Sequence, residues 1–227
     1  MTISRVNIFA RFATRTALAL VVAGAGGAAT IAVPEASMAP AGAAGCNNVE
    51  VVFARGTTEA PGIGRVGQAF VNALSNQIGN RSIGAYGVDY PATYDFLAAA
   101  QGANDASARI QWLMANCPNT RIVLGGYSQG AAIVDVVSSV PFPAVGFDNP
   151  LPPNAVDHIA ALAVFGNPTA KVGIPLTASP AYGGRAIDLC NDNDPVCSGG
   201  DDVAAHRGYG PGSPQVTQAA AFAAGLL

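Results

Sequence analysis

The apolar positions of this chain fall into short unbroken runs that alternate with longer stretches of helical spacing. Residues 49–54 (VEVVFA), 121–126 (RIVLGG) and 159–166 (IAALAVFG) carry almost no polar side chains. That is the pattern of strands covered on both faces of a parallel sheet. Residues 83–90 (IGAYGVDY), halted by Pro91, and 185–190 (RAIDLC) read as further strands. An amphipathic helix is expected over 64–78. The stretch 94–116 sets Phe96, Ala99, Ala103, Ala106, Ile110 and Leu113 at the spacing of one helical stripe. Trp112 lies beside that stripe and reads as a packing residue. A last helix opens at Ser213 and Pro214. Five strands alternating with helices predict a doubly wound, mainly parallel α/β sheet flanked by helices. In such a sheet the reactive groups gather at the carboxyl ends of the strands.

The first 45 residues follow a different rule. Arg5, Arg11 and Arg15 precede the charge-free run 17–33, and small residues follow it up to Gly45. That order predicts a secretory signal peptide over 1–45, cut somewhere between Ala39 and Gly45, with one domain over 46–227. The run is broken by glycines and falls short of the roughly 20 apolar residues a membrane span needs. Lipidation of Cys46, which "AAGC" permits, would leave an odd cysteine count in an exported protein. The net charge is −3; removing residues 1–45 takes away three basic residues and Glu35, leaving −5. No basic run and no aromatic platform between basic residues supports a nucleic-acid partner. The acidic balance also opposes attraction to anionic lipid, so the mature protein is not expected to insert into membranes. It is expected to be a monomer, secreted or held at the cell envelope.

Four cysteines suit an oxidising compartment. Cys190 and Cys197 enclose the short polar loop NDNDPV and are natural partners, which leaves Cys46 to pair with Cys117. The second bridge closes some 70 residues, worth roughly 4–5 kcal/mol in the chain-entropy model. A zinc site is the competing reading, but no pair has C-x-x-C spacing and the chain has only two histidines.

At 126–130 the chain reads Gly-Tyr-Ser-Gln-Gly, the G-x-S-x-G spacing of a nucleophile turn. With 27 glycines in 227 residues the bare match is weak. Its position is not, because Ser128 follows directly on a buried strand and precedes a helix of small residues. A serine nucleophile needs a base, and the base needs an orienting carboxylate. His158 sits at the amino end of a strand, the wrong edge of a parallel sheet. His206 follows the last strand and fits the order serine, acid, histidine. For the acid, Asp188, Asp192, Asp194, Asp201 and Asp202 all lie upstream of His206. The loop bounded by Cys190 and Cys197 favours Asp192 and Asp194 and does not choose between them. The N–H of Gln129 is one expected oxyanion donor, and Thr57, on the loop after the first strand, is a candidate for the second. "RGTT" is equally an ordinary strand-end turn.

These residues carry a resemblance to the cutinase family of serine esterases, in particular to secreted actinobacterial members. It runs from CNNVEVVFARGTTEAPGIGRVG through CPNTRIVLGGYSQGAAIV and HIAALAVFGNP to DLCNDNDPVC. The resemblance implies an α/β-hydrolase fold without a long lid, with Ser128 as nucleophile, Asp194 as acid and His206 as base. It implies Thr57 and Gln129 as the oxyanion-hole residues, and it supports the pairings Cys46–Cys117 and Cys190–Cys197. The implied reaction is hydrolysis of carboxylic esters through an acyl-serine, with no metal or organic cofactor.

The loop before His206 (SGGDDVAAH) departs from fungal cutinases. It has Asp201 and Asp202 where they carry large aliphatic residues, which argues against adsorption to a polyester surface and against anionic substrates. Two other segments offer apolar walls for an acyl chain: 140–153, with Phe142, Val145, Phe147 and Leu151, and 172–182. The expected substrates are short- to medium-chain acyl esters, with lipids or polyesters as the extension of that range. Phospholipase A, lipase or thioesterase activity is the alternative within the same chemistry. A non-catalytic envelope-binding protein is the alternative outside it.

Overall fold

The structure, a computed structural model, describes residues 45–227. The expected signal segment, apart from Gly45, lies outside the described residues. Five strands, β1 (Val49–Ala54), β2 (Ile83–Gly87), β3 (Arg121–Tyr127), β4 (Ile159–Phe165) and β5 (Ala186–Leu189), form one sheet in the order β2-β1-β3-β4-β5. Every neighbouring pair is parallel. The helices are α1 (Gly64–Ser75), α2 (Ala99–Asn116), α3 (Gln129–Ser139), α4 (Pro168–Lys171), α5 (Val203–Arg207) and α6 (Pro214–Ala224).

Because successive side chains on a strand point to opposite faces, each strand feeds two cores. Val49, Val51 and Phe53 pack with Phe70 of α1 and Ala219 of α6. Val52 and Ala54 pack with Ile110 of α2 and Ile133 of α3. Buried on both faces, β1 and β4 leave little room for polar positions: β4 has none and β1 only Glu50. Strand order reverses between β1 and β3. A crevice therefore opens above their carboxyl ends, where open α/β sheets hold their ligands.

The element boundaries differ from the periodicity by more than one residue in three places. Helix α1 stops at Ser75. Ile78 is still buried, but from a turn in which its N–H and that of Gln77 both return to the Leu74 carbonyl. Strand β2 stops at Gly87, where a Cβ would lie 2.4 Å from the Gly62 backbone, although Val88 and Tyr90 remain buried beyond it. The stretch from 94 is not one helix. A 3-10 turn over Phe96–Ala98, with Asp95 accepting the Leu97 N–H at 3.2 Å, precedes α2. Phe96 is thus 62% exposed, and the buried stripe is Ala103, Ala106, Ile110 and Leu113. Trp112 does pack, but at the surface, under the Arg109 guanidinium at 4.6 Å. Arg109 also pairs with the buried Glu50 at the start of β1.

Cys46 is bridged to Cys117 and Cys190 to Cys197. Ser213 opens α6 with its hydroxyl on the Val216 N–H, and Pro214 occupies the first helical position. Among the described residues no helix is long and apolar enough to cross a membrane.

Candidate active site

The chain leaves β3, turns once at Ser128 and enters α3. Ser128 has φ 55° and ψ −118°, a backbone conformation that costs a non-glycine residue on the order of 1–3 kcal/mol. Its two glycine neighbours make the turn possible for steric reasons. A Cβ at Gly130 would lie 2.0 Å from the Ala54 carbonyl oxygen, and one at Gly126 would lie 2.2 Å from that of Gly130. The G-x-S-x-G spacing is therefore a packing requirement of a helix pressed against the end of β1.

Ser128 Oγ lies 2.9 Å from His206 Nε2. His206 Nδ1 lies 2.9 Å from both carboxylate oxygens of Asp194. Asp194 is fully buried, whereas Asp192, two residues away, is exposed. Burial separates the two acids that the sequence left open, because only one can orient the imidazole. Within the disulfide-closed loop the Val196 N–H donates to Asp194 Oδ1 at 2.8 Å. Gly166, at φ 59° after β4, leaves room for the ring; a Cβ there would stand 2.9 Å from His206 Cε1. The acids nearer His206 in sequence do other work. Asp202 caps α5 by accepting the Ala204 N–H at 2.8 Å, and Asp201 is exposed. His158 lies at the opposite end of the sheet, where its carbonyl accepts the Ile122 N–H.

Thr57 and Gln129 are also brought together, since the Thr57 hydroxyl donates to Gln129 Oε1 at 3.2 Å. Gln129 is the first residue of α3, so its N–H has no acceptor one turn back within the helix. Gln129 Nε2 donates to the Thr93 carbonyl at 3.1 Å, tying this corner to the loop after β2.

Several supporting residues escape a sequence reading. Tyr209, fully buried, donates to Asp194 Oδ2 at 2.8 Å and accepts the Asn191 N–H at 2.7 Å, with its ring edge-on to His206. Tyr127 stacks on the imidazole at 5.1 Å, and its hydroxyl donates to the His206 carbonyl at 2.8 Å. Burial pushes the Tyr127 hydroxyl up to about 12 and the Tyr209 hydroxyl higher still, so both remain protonated donors at neutral pH. Arg55 and Glu59 brace the Thr57 loop. The buried Arg55 guanidinium donates to the carbonyls of Glu59, Val88 and Tyr90. Glu59 accepts the Gly56 N–H at 2.7 Å and the Arg65 N–H at 2.9 Å. The one available signal for this brace was a pair of charges flanking Gly-Thr-Thr in a chain with only 11% charged residues.

Cys190, Asp194 and Cys197 lie close enough to resemble a metal-ligand cluster. The two sulfurs are bonded to each other, however, and the carboxylate is occupied by His206, Tyr209 and Val196. Of the two candidate acyl walls, the 140–153 segment divides. Phe147 is buried, Val145 and Phe142 are exposed, and Leu151 faces a separate cleft beyond the far end of α3. In the 172–182 segment Val172 and Ile174 are exposed, while Leu176 and Tyr182 are buried.

Comparison with known proteins converges on one family. The family model described as Cutinase matches residues 45–227. Phospholipase Culp4 of Mycobacterium tuberculosis is 56% identical over 92% of this chain and 92% of its own length. Carboxylesterase Culp1 of Mycobacterium bovis is 46% identical over 93% of this chain and 91% of its own length. Among solved structures, a Trichoderma reesei cutinase bound to a phosphonate inhibitor superposes with TM-score 0.65 at 33% identity, over 80% of this chain and 77% of that one. An acetylxylan esterase superposes with TM-score 0.68 at 28% identity, over 80% of this chain and 99% of that one. With a strained serine turn at the switch point of a five-stranded parallel sheet and relatives of this kind along nearly its whole length, the chain belongs to the cutinase family of carboxylic ester hydrolases.

Proposed function

We propose that residues 1–45 are a secretory signal peptide and that residues 46–227 form a secreted serine esterase acting on short- to medium-chain acyl esters. The observation that carries the catalytic assignment is the unbroken chain of contacts from Ser128 Oγ through the His206 ring to the buried Asp194 carboxylate, each 2.9 Å long. His206 Nε2 takes the Ser128 proton as Oγ attacks the ester carbonyl. The Asp194 carboxylate holds the other ring nitrogen in the N–H form. Negative charge on the carbonyl oxygen is met by the main-chain N–H groups of Gln129 and Thr57, with the Thr57 hydroxyl beside them. The imidazolium then protonates the departing alcohol, leaving an acyl-Ser128. Water, deprotonated by His206, releases the acid and restores the serine.

The site is complete within one chain, which supports a monomeric enzyme. The two disulfides suit an oxidising, extracellular setting, in solution or at the cell envelope. Hydrolysis of p-nitrophenyl butyrate tests the assignment. Ser128→Ala is expected to lose at least 10⁴-fold in kcat with an unchanged thermal midpoint. Undiminished turnover by that variant would overturn it.

A second reading, phospholipase activity, is favoured by the name of the 56% identical relative and by the exposed apolar side chains of Tyr94, Leu97, Val172 and Ile174. The exposed Asp201 and Asp202 count against an anionic headgroup. Release of fatty acid from zwitterionic phospholipid, measured beside the soluble ester, separates the two readings.

A further inference from the structure

Arg65 stands in the first turn of α1, and its guanidinium reaches the end of the helix that carries His206. It donates to the carbonyl of Arg207 at 2.8 Å and to that of Tyr209. We propose that Arg65 is a positioning residue for the esterase reaction: by joining the end of α5 to the Glu59 brace of the Thr57 loop, it fixes the catalytic base relative to the oxyanion donors. The proposal rests on the assignment of Ser128 as nucleophile and His206 as base.

Helix α5 has only five residues, far below the roughly 12–15 at which an isolated helix is even marginal in water. The last carbonyls of a helix also find no partner within it. Here three consecutive ones are met by side chains from three other parts of the fold. Asn191 Nδ2, on the loop after β5, donates to the Ala205 carbonyl at 2.7 Å. The Tyr127 hydroxyl, at the end of β3, donates to that of His206, and Arg65 to that of Arg207. These bonds, more than the helix itself, set the orientation of α5 and hence the reach of His206 Nε2 to Ser128 Oγ. Arg65 supplies the charged one, and a cation suits the negative end of a helix.

The main chain of the same residue faces the oxyanion loop. The Arg65 N–H donates to Glu59 Oε1 at 2.9 Å, and Glu59 Oε2 accepts the N–H of Gly56, which directly precedes Thr57. Thr57 follows β1 and His206 follows β5, and β3 and β4 stand between those strands. No sheet ladder therefore ties the two loops together directly. The path from Gly56 through Glu59 and Arg65 to Arg207 does.

Two glycines leave room for this bridge. A Cβ at Gly64 would lie 2.5 Å from Glu59 Oε2, and one at Gly210 would lie 1.9 Å from Arg65 Nη1. Both have positive φ, 67° and 144°. The planar, two-pronged guanidinium suits two carbonyls at once, which a lysine ammonium does not reproduce. An arginine serving solubility alone needs no such seat.

The test is Arg65→Ala, which removes the guanidinium, leaves the main-chain bond to Glu59 and keeps a strong helix former in α1. kcat for p-nitrophenyl butyrate should fall about tenfold with KM unchanged, because a misplaced base slows the chemistry without touching ester binding. Arg65→Met, which keeps the aliphatic stem, should show the same loss. Free guanidinium at a sub-denaturing concentration should restore at least a third of the rate lost in Arg65→Ala, and sodium at equal ionic strength should restore none. An enzyme that was merely destabilised would gain nothing from a denaturant. A second readout is independent of turnover. The downfield NMR resonance of the His206 Nδ1 proton held by Asp194 should shift or broaden in Arg65→Ala and return with guanidinium. Wild-type kcat in either variant, a loss expressed in KM, no recovery with guanidinium, or an unmoved His206 resonance would each overturn the role of Arg65. A wild-type protein inert toward the ester would overturn the esterase reading instead, and the His206 resonance would still decide Arg65.

Discussion

Asp135 on α3 offers a measurable stability effect close to the site and separate from its chemistry. The side chain faces a buried polar cluster. Thr169 Oγ1 donates to its Oδ2 at 2.5 Å, Asn167 Nδ2 donates to Asp188 Oδ2 at 2.8 Å, and Asp188 Oδ1 has no partner. Burial is the main cause raising the Asp135 carboxyl from 3.8 to about 6, the Asp188 charge adds to it, and the hydrogen bonds from Thr169 and Asn167 oppose it. A folded-state value above the unfolded one means that the folded protein holds the proton more tightly. The stability this group contributes is full below pH 4 and is lost as pH rises through 6. Two units correspond to about 3 kcal/mol, and partial exposure lowers that to roughly 2 kcal/mol. Asp135→Asn keeps an acceptor for Thr169 and removes the charge. At pH 8 the variant should melt about 4–8 °C above wild type, and the gap should close toward pH 4. Scanning calorimetry at pH 4, 5, 6, 7 and 8 measures it, with p-nitrophenyl butyrate turnover as a control that should not change. A variant less stable than wild type at pH 8, or a gap independent of pH, would refute the reasoning.

Two further substitutions separate scaffold from site. Tyr209→Phe removes a donor to the buried Asp194 and strands the Asn191 N–H. It should cost about 2–3 kcal/mol of stability and lower kcat by roughly tenfold with KM unchanged, as steady-state kinetics and a urea titration can check; a raised KM would show that Tyr209 acts on substrate instead. The two disulfides should behave differently. Replacing Cys46 and Cys117 by serine should cost about 4–5 kcal/mol while the folded protein retains its kcat. Replacing Cys190 and Cys197 should cost less stability, since the loop is short, but lower kcat more, because that loop carries Asp194. Unfolding midpoints and kcat measured on both double variants decide this.

The strands were the most legible part of the chain because burial on both faces leaves few polar residues, and β1 matches its expected span residue for residue. Helix ends were less legible. Ile78 and Val88 are buried outside regular structure, so hydrophobic pattern alone overextended α1 and β2. Phe96 fitted a helical stripe by spacing, yet Asp95 diverts the chain into a 3-10 turn and leaves the ring exposed. At the site, chain order and strand position were enough to single out Ser128 and His206. The choice between Asp192 and Asp194 depends on which way the six-residue loop NDNDPV folds, and neighbouring positions of a polar loop carry no periodicity to report it. Tyr209 and Arg55 act through contacts distant in sequence, with carbonyls and a carboxylate that no local pattern announces.

The convergence of Ser128, His206 and Asp194 is tested most directly by a fluorophosphonate, which phosphonylates only a serine made nucleophilic by its base. Peptide mass spectrometry of the treated protein should place a single adduct on Ser128, and His206→Ala should label at least a hundredfold more slowly while keeping its thermal midpoint. No adduct on the folded protein, an adduct on another residue, or undiminished labelling of His206→Ala would contradict the account.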